Sequence, residues 1–289
     1  MIDLSNALLS GVIIGSLYAA MALGLALIYG VVRIFNFAHG SMSVLAGYFT
    51  LLFLKHTGVG LAPAISISVV IMFLMGLALY KTTLSFLVKK PNWEFSTIVF
   101  LLGLAILMQN LILLFFGPRI KAVPKFFAGG IELGFLRINW HDLGLLVFVI
   151  VFFIGLNLFL RRTWIGKAMR AVAQEITGAM VVGINTDRIY SFAFALATAV
   201  TGLSGILLAT RYFVAPHAGW TWMFRGFIIV VFGSLGSVTG AIYAAFILGI
   251  TEALISLYLG ELWVWPCWFI IFVGVMVLRP QGLFSDQTI

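Results

Sequence analysis

Two polar side chains stand inside long apolar runs and carry most of the chemistry open to this sequence: Glu252 in GITEALISLY and His39 in FNFAHGSM. A carboxylate in hydrocarbon is costly unless it faces a cavity or a partner, so Glu252 is a candidate for holding a proton, a cation or a polar solute. It is an isolated carboxylate close to the end of its run, and reaching the interface is the structural alternative. His39 is able to bind or relay a proton, yet beside a helix break its ring reads first as a hydrogen-bonding plug. The four His and one Cys never fall at metal-ligand spacing, and no Ser, His and acid grouping points to a hydrolase. No catalytic residue and no metal ligand is therefore assigned. No G-x-x-x-x-G-K-[ST] occurs either, because Gly166-Lys167 is followed by Ala168, so the chain carries no P-loop and no cofactor of its own is expected.

The elements that hold these side chains must be membrane helices. With 289 residues, 63% of them hydrophobic and only 9% charged, the composition is that of an all-α polytopic membrane protein. The formal charge of +8 sits in loops and indicates contact with anionic headgroups rather than nucleic acid. Cys267 stands alone, which rules out an intrachain disulfide. The first six residues hold Asp3 and no Lys or Arg, so the basic start of a cleavable signal is missing. One membrane domain is read over 1–289, with a first half 1–160, an insert 161–188 and a second half 189–289.

Apolar runs predict spans over 4–29, 61–79, 95–116, 143–160, 189–213 and 263–278, with a short continuation over 42–54 and a long broken run over 224–257. The total is about eight crossings, two of the helices being discontinuous. Residues 117–141 read as a polar loop. Gln109 and Asn110 are read as bridges between helices, and Trp220, Trp222, Trp263, Trp265 and Trp268 as interfacial belt residues.

Each half holds one interrupted segment. The first carries Asn36, Phe37, His39, Gly40 and Ser41, and the second carries Gly233, Ser234, Gly236, Ser237 and Gly240. Discontinuous helices in corresponding positions of two halves point to a midplane solute site, because unwound backbone and helix ends supply polar groups inside lipid. These residues, with Glu252, form the candidate pathway. The alternative is a pair of kinks whose freed backbone groups are satisfied by Ser234, Ser237 or Thr239.

The insert is the one long segment that is neither span nor turn. On a single helix Thr163, Lys167, Arg170, Gln174 and Thr177 share one side, and Ile165, Met169, Val172, Ile176 and Met180 the other. Gly183 then turns the chain, and Asn185, Thr186 or Asp187 caps the next helix. Such a helix either lies among lipid headgroups or docks into a partner. Gly166, Ala168, Ala171, Ala173, Gly178 and Ala179 favour docking, since small residues admit close approach. If the insert is cytoplasmic, Arg33, Lys81, Lys89, Lys90, Arg161, Arg162, Lys167, Arg170 and Arg188 share its side. That is about half of the 17 basic residues, so positive-inside counting leaves orientation open.

Four segments in order carry a family resemblance: GSLYAAMALGLALIYGVVRIFNFAHGSM, GKAMRAVAQEITGAMVVGINTDR, FRGFIIVVFGSLGSVTGAIYAAFILGITEAL and the ending RPQGLF. Together they resemble the permeases of branched-chain amino-acid ABC importers, in particular the smaller of the two permease subunits. Permeases for urea and short amides, and for ribose, belong to the same superfamily. The resemblance implies a bacterial inner-membrane importer with a second permease subunit, two cytoplasmic ATPase subunits that hold ATP and Mg, and a substrate-binding protein. It further implies that Gly166, Lys167, Arg170, Ala171, Glu175, Ala179, Gly183 and Ile184 form the ATPase-coupling segment, although the insert departs from the EAA consensus of other importers. A urea or short-amide importer and a stand-alone carrier using Glu252 remain the rival readings.

Overall fold

The computed structural model describes residues 2–133 and 136–284. Its elements in chain order are α1 (Ile2–Val32), α2 (His39–His56), α3 (Leu61–Leu87, with a π turn at Tyr80–Leu84), α4 (Trp93–Phe116), β1 (Gly130–Leu133) and β2 (Leu136–Asn139). There follow α5 (Trp140–Arg162), α6 (Trp164–Gln174), α7 (Ile176–Val181), α8 (Thr186–Arg211), α9 (Ala218–Gly233), α10 (Val238–Tyr258) and α11 (Val264–Leu278). Among the described residues seven helical spans are long and apolar enough to cross a membrane: α1, α3, α4, α5, α8, α10, and α11 together with the 3-10 turn before it (Glu261–Leu278).

α1 and α8 form the buried centre, and α4, α5 and α11 present mostly exposed apolar faces, as lipid-facing helices do. Small residues let the central helices close up. Gly11 and Gly15 of α1 receive α10 so tightly that a Cβ on Gly249 would stand 2.5 Å from the Cα of Gly15. α3 packs along α8 in the same manner, with Gly76 against Thr198 and Gly202 against Met72.

These pairings relate the two halves. α1 to α4 and α8 to α11 follow the same order, and each half's third helix packs on the other half's first. The links after α1 and α8 are also alike in sequence, RIFNFAHG from Arg33 and RYFVAPHAG from Arg211. This corrects the pairing of breaks expected from sequence. The partner of the first break is the 212–217 link, whereas the Gly233–Gly240 stretch is a reversal that corresponds to the link between α2 and α3. Polarity marked both glycine-rich places alike, but only packing separates a mid-depth break from an end turn.

Three further expectations change. His39, Gly40 and Ser41 lie in the first turn of α2, so the first break is confined to 33–38. The insert is two helices, because Glu175 adopts extended backbone with φ −151° and ψ 108°. The loop 117–141 contains an antiparallel hairpin with Gly130 opposite Asn139, and Lys121 forms an isolated bridge with Val214.

Orientation within the bundle follows from contacts. Gly236 lies against Gly30, near the C-terminal end of α1, and the insert helix α6 touches α1 and α8. The Leu283 amide donates to the Phe232 carbonyl at 2.9 Å, so RPQGLF closes over the α9–α10 reversal. Residues 279–284 therefore lie at the insert end, while α1 starts at the opposite end, here called the far end.

Candidate functional site

The helices α2 and α9 both begin inside the bundle rather than at its ends. Asn36 shapes the first entry: its Oδ1 accepts from the Ala38 amide at 3.0 Å, an Asx turn that starts α2. His39, fully buried, lies 2.9 Å by Nδ1 from the hydroxyl of Thr201, about halfway along α8. Ser41 donates to the Ala105 carbonyl of α4 at 3.1 Å, and Ser43 to the Thr201 carbonyl at 3.3 Å. Gly40 meets Gly219 at the start of α9, and the N-terminal ends of two half-length helices thus converge at mid-depth. Convergent helix N-termini offer unpaired N–H groups and a partial positive charge to a polar solute. Phe37 is half-buried beside this meeting point.

The Gly233–Gly240 group lies elsewhere, at the insert end. Ser234 and Gly236 hold left-handed backbone at φ 94° and 85°, and Ser237 caps α10 by accepting from the Gly240 amide at 3.0 Å. Gly233 and Gly240 bring the two helices together at the reversal. Their observed contacts make the turn.

Glu252 is not isolated. It is buried, accepts from the Tyr18 hydroxyl at 2.9 and 3.0 Å, and pairs with Arg225 at 3.2 Å. Arg225 also donates to the Tyr18 hydroxyl and stands over the rings of Tyr18, Trp265 and Trp268, 5.3, 5.3 and 5.8 Å from their centroids. Reading 224–257 as one broken run hid this pair. The available signal was an Arg and a Glu in two apolar stretches joined by a glycine-rich reversal, which sets such residues on neighbouring helices. Trp268 is fully buried against Tyr18, and Trp222 is buried too, so neither belongs to an interfacial belt; Trp263 is exposed. Gln109 does bridge helices, accepting from Trp220 Nε1 at 2.6 Å, whereas Asn110 donates to its own helix at Ile106.

At the insert, α6 turns its buried Gly166, Ala168, Met169 and Val172 to the bundle. A Cβ on Gly166 would meet the Phe159 and Leu160 carbonyls at 2.5 Å. Ala171 is half-buried, and Arg170 reaches back to the Arg161 carbonyl at 3.3 Å, leaving Lys167 exposed. Glu175 caps α7 by accepting from the Thr177 amide at 3.1 Å. Only Ala179 of α7 is buried, and Ile176, Met180, Val181 and Val182 face outward. The single-helix reading put Ile176 and Met180 on the same side as Met169 and Val172; the bend at Glu175 separates them, and they face outward. Gly183 turns with φ 85°, Ile184 packs partly on the core, and Asn185 caps α8 by accepting from the Arg188 amide at 3.1 Å.

A buried two-helix centre, twin mid-depth helix starts and an amphipathic insert at one end define a polytopic membrane permease. The chain belongs to the family described as "Branched-chain amino acid transport system / permease component", which it matches over residues 7–279. It is 28% identical to the high-affinity branched-chain amino acid transport system permease protein LivH of Escherichia coli K12, over 95% of this chain and 93% of that one. With the corresponding protein BraD of Pseudomonas aeruginosa it shares 26% identity over 96% and 94%. LivM of Escherichia coli K12 is 31% identical over 51% of this chain and 34% of its own length. No solved structure matches. The chain is a multi-pass inner-membrane protein of this transport family.

Proposed function

We propose that the chain is one permease subunit of an importer for branched-chain amino acids, driven by ATP hydrolysis in separate subunits. The nearly end-to-end match to relatives named for branched-chain amino-acid transport carries this reading. The geometry gives it a mechanism. Gly40 and Gly219 form a close backbone approach between the halves, and small rigid-body shifts of one half against the other would open or close the space around it. Ion pairing at Glu252 argues against a stand-alone carrier that would use it as a free coupling carboxylate.

The partial likeness to LivM supports a second, related permease chain as the partner. The outward apolar face of α7, flanked by exposed Lys167 and Arg188, supports docking of a cytoplasmic ATPase at the insert end. ATP and Mg would then bind in those subunits, and a substrate-binding protein would deliver cargo at the far end. The test is uptake of tritiated leucine by cells with and without this chain, with isoleucine, valine and urea as competitors. Loss of uptake on deletion and competition by isoleucine and valine support the reading. Competition by urea alone moves the cargo to small amides.

A further inference from the structure

A second polar feature lies at the far end, away from the twin helix starts. A cavity of about 720 Å³ opens between the ends of α1, α8, α10 and α11, and Arg211, Arg225, Glu252 and Glu261 all line it. Its volume falls within the range of roughly 300–1,000 Å³ typical of small-molecule sites. Both signs of charge are held rigidly. Arg211 is paired with Asp142, and Arg225 is pinned by Glu252, by the hydroxyl and ring of Tyr18 and by the rings of Trp265 and Trp268. The Arg211 and Arg225 side chains each keep 17% of their surface exposed, and both line the cavity. Ile14 and Val264 add apolar wall.

Buried ion pairs seldom stabilise a fold better than apolar residues of the same volume. Two largely buried pairs at one mouth of a membrane bundle are therefore poorly explained by packing alone. Asp142 and Glu252 leave part of each guanidinium facing the cavity, and Glu252 and Glu261 line it beside them, so a ligand with a carboxylate and an ammonium group finds a partner of opposite charge for each. Position fits as well. α8 has 26 residues and is about 39 Å long at 1.5 Å per residue, so Arg211 at its far end is a full bilayer away from the insert.

We propose that this cavity is a receiving subsite for a zwitterionic α-amino acid. Its carboxylate lies on the guanidinium groups of Arg211 and Arg225, and its ammonium group toward Glu252 and Glu261. The proposal rests on the transport reading above and adds the recognising groups.

Ser256 lines the same cavity and gives a readout that does not depend on turnover. In membranes holding the whole importer, with Cys267→Ser in this chain, Ser256→Cys is labelled with a methanethiosulfonate reagent. Leucine at ten times its half-saturating concentration should slow labelling about tenfold, because only the unoccupied fraction reacts. Leucinamide, which lacks the carboxylate, and 4-methylpentanoate, which lacks the amine, should leave the rate unchanged. Adding Glu252→Gln should abolish the protection while the chain stays in the membrane. Leucine uptake without protection, equal protection by either single-charge analogue, or protection that survives Glu252→Gln overturns the subsite and leaves the transport reading standing. Absence of both uptake and protection overturns both.

Discussion

Gly40 and Gly219 touch backbone to backbone: a Cβ on Gly219 would stand 2.9 Å from the carbonyl carbon of Gly40 and from the amide nitrogen of Ser41. No side chain fits there without moving α2 from α9. Gly219→Val should therefore hold the two helix starts apart and abolish uptake, while the chain still inserts. Membrane content by immunoblot beside leucine uptake checks this; normal uptake by the variant would remove the contact from the transport pathway. Gly219→Ala should be intermediate, since overpacking typically costs about 1–3 kcal/mol.

The Tyr18, Arg225 and Glu252 cluster makes a different prediction. Arg225→Met strands a buried carboxylate, which costs about 3–5 kcal/mol when a buried pair loses one partner. Arg225→Met combined with Glu252→Gln removes the stranded charge and should recover most of that loss. Thermal unfolding of the purified chain in mild detergent distinguishes the two: the single variant melts well below the double. Equal melting would mean that the pair is solvated in the bundle.

Much of this was legible in the sequence, and the part that was not has a physical reason. Spans, the amphipathic insert and its Asn185 cap are local, set by apolar length and by side chain to backbone hydrogen bonds within a turn. Correspondence between the halves is not local. The His39–Thr201 contact joins residues 162 apart, and the Glu252–Tyr18 bond residues 234 apart. Hence Glu252 read as isolated and Trp268 as interfacial, although RIFNFAHG and RYFVAPHAG already showed which two links belong together. The bend at Glu175 was hidden for another reason. VAQEITGA holds no proline and its one glycine, Gly178, lies inside α7 rather than at the bend; Met169 and Val172 pack inward before the bend and Ala179 after it, and the Glu175 side chain caps the second helix.

That bend separates residues that dock from residues that hold. Val181 and Val182 are 82% and 74% exposed, and Val172 is 1% exposed. Val181→Asp should lower leucine uptake and ATPase activity in the assembled importer while leaving the chain's melting temperature within about 0.5 kcal/mol equivalent, as surface changes do. Val172→Asp should instead reduce the amount of folded chain, because it buries an unpaired charge. If the Val181→Asp variant takes up leucine normally, the outer face of α7 touches lipid rather than a partner. Gly183→Val tests the same hinge by backbone alone: nothing lies within 4 Å of the added Cβ, but φ is 85°. Strain of about 1–3 kcal/mol is then the whole effect, and it should appear as lost coupling rather than as a clash.

Glycines in the spans divide into those that admit a neighbour and those that merely face outward. A Cβ on Gly249 would press on Gly15 at 2.5 Å, whereas one on Gly103 of α4 meets nothing within 4 Å. Gly249→Ala should destabilise the chain by about 1–3 kcal/mol through separation of α1 and α10. Gly103→Ala should raise stability by about 0.4–1 kcal/mol, because it only narrows the unfolded ensemble. Melting curves of both variants, measured on the isolated chain, decide this. A loss of uptake confined to Gly103→Ala, with its melting temperature raised, would show that another chain of the importer packs there, since nothing within this chain registers the added methyl group.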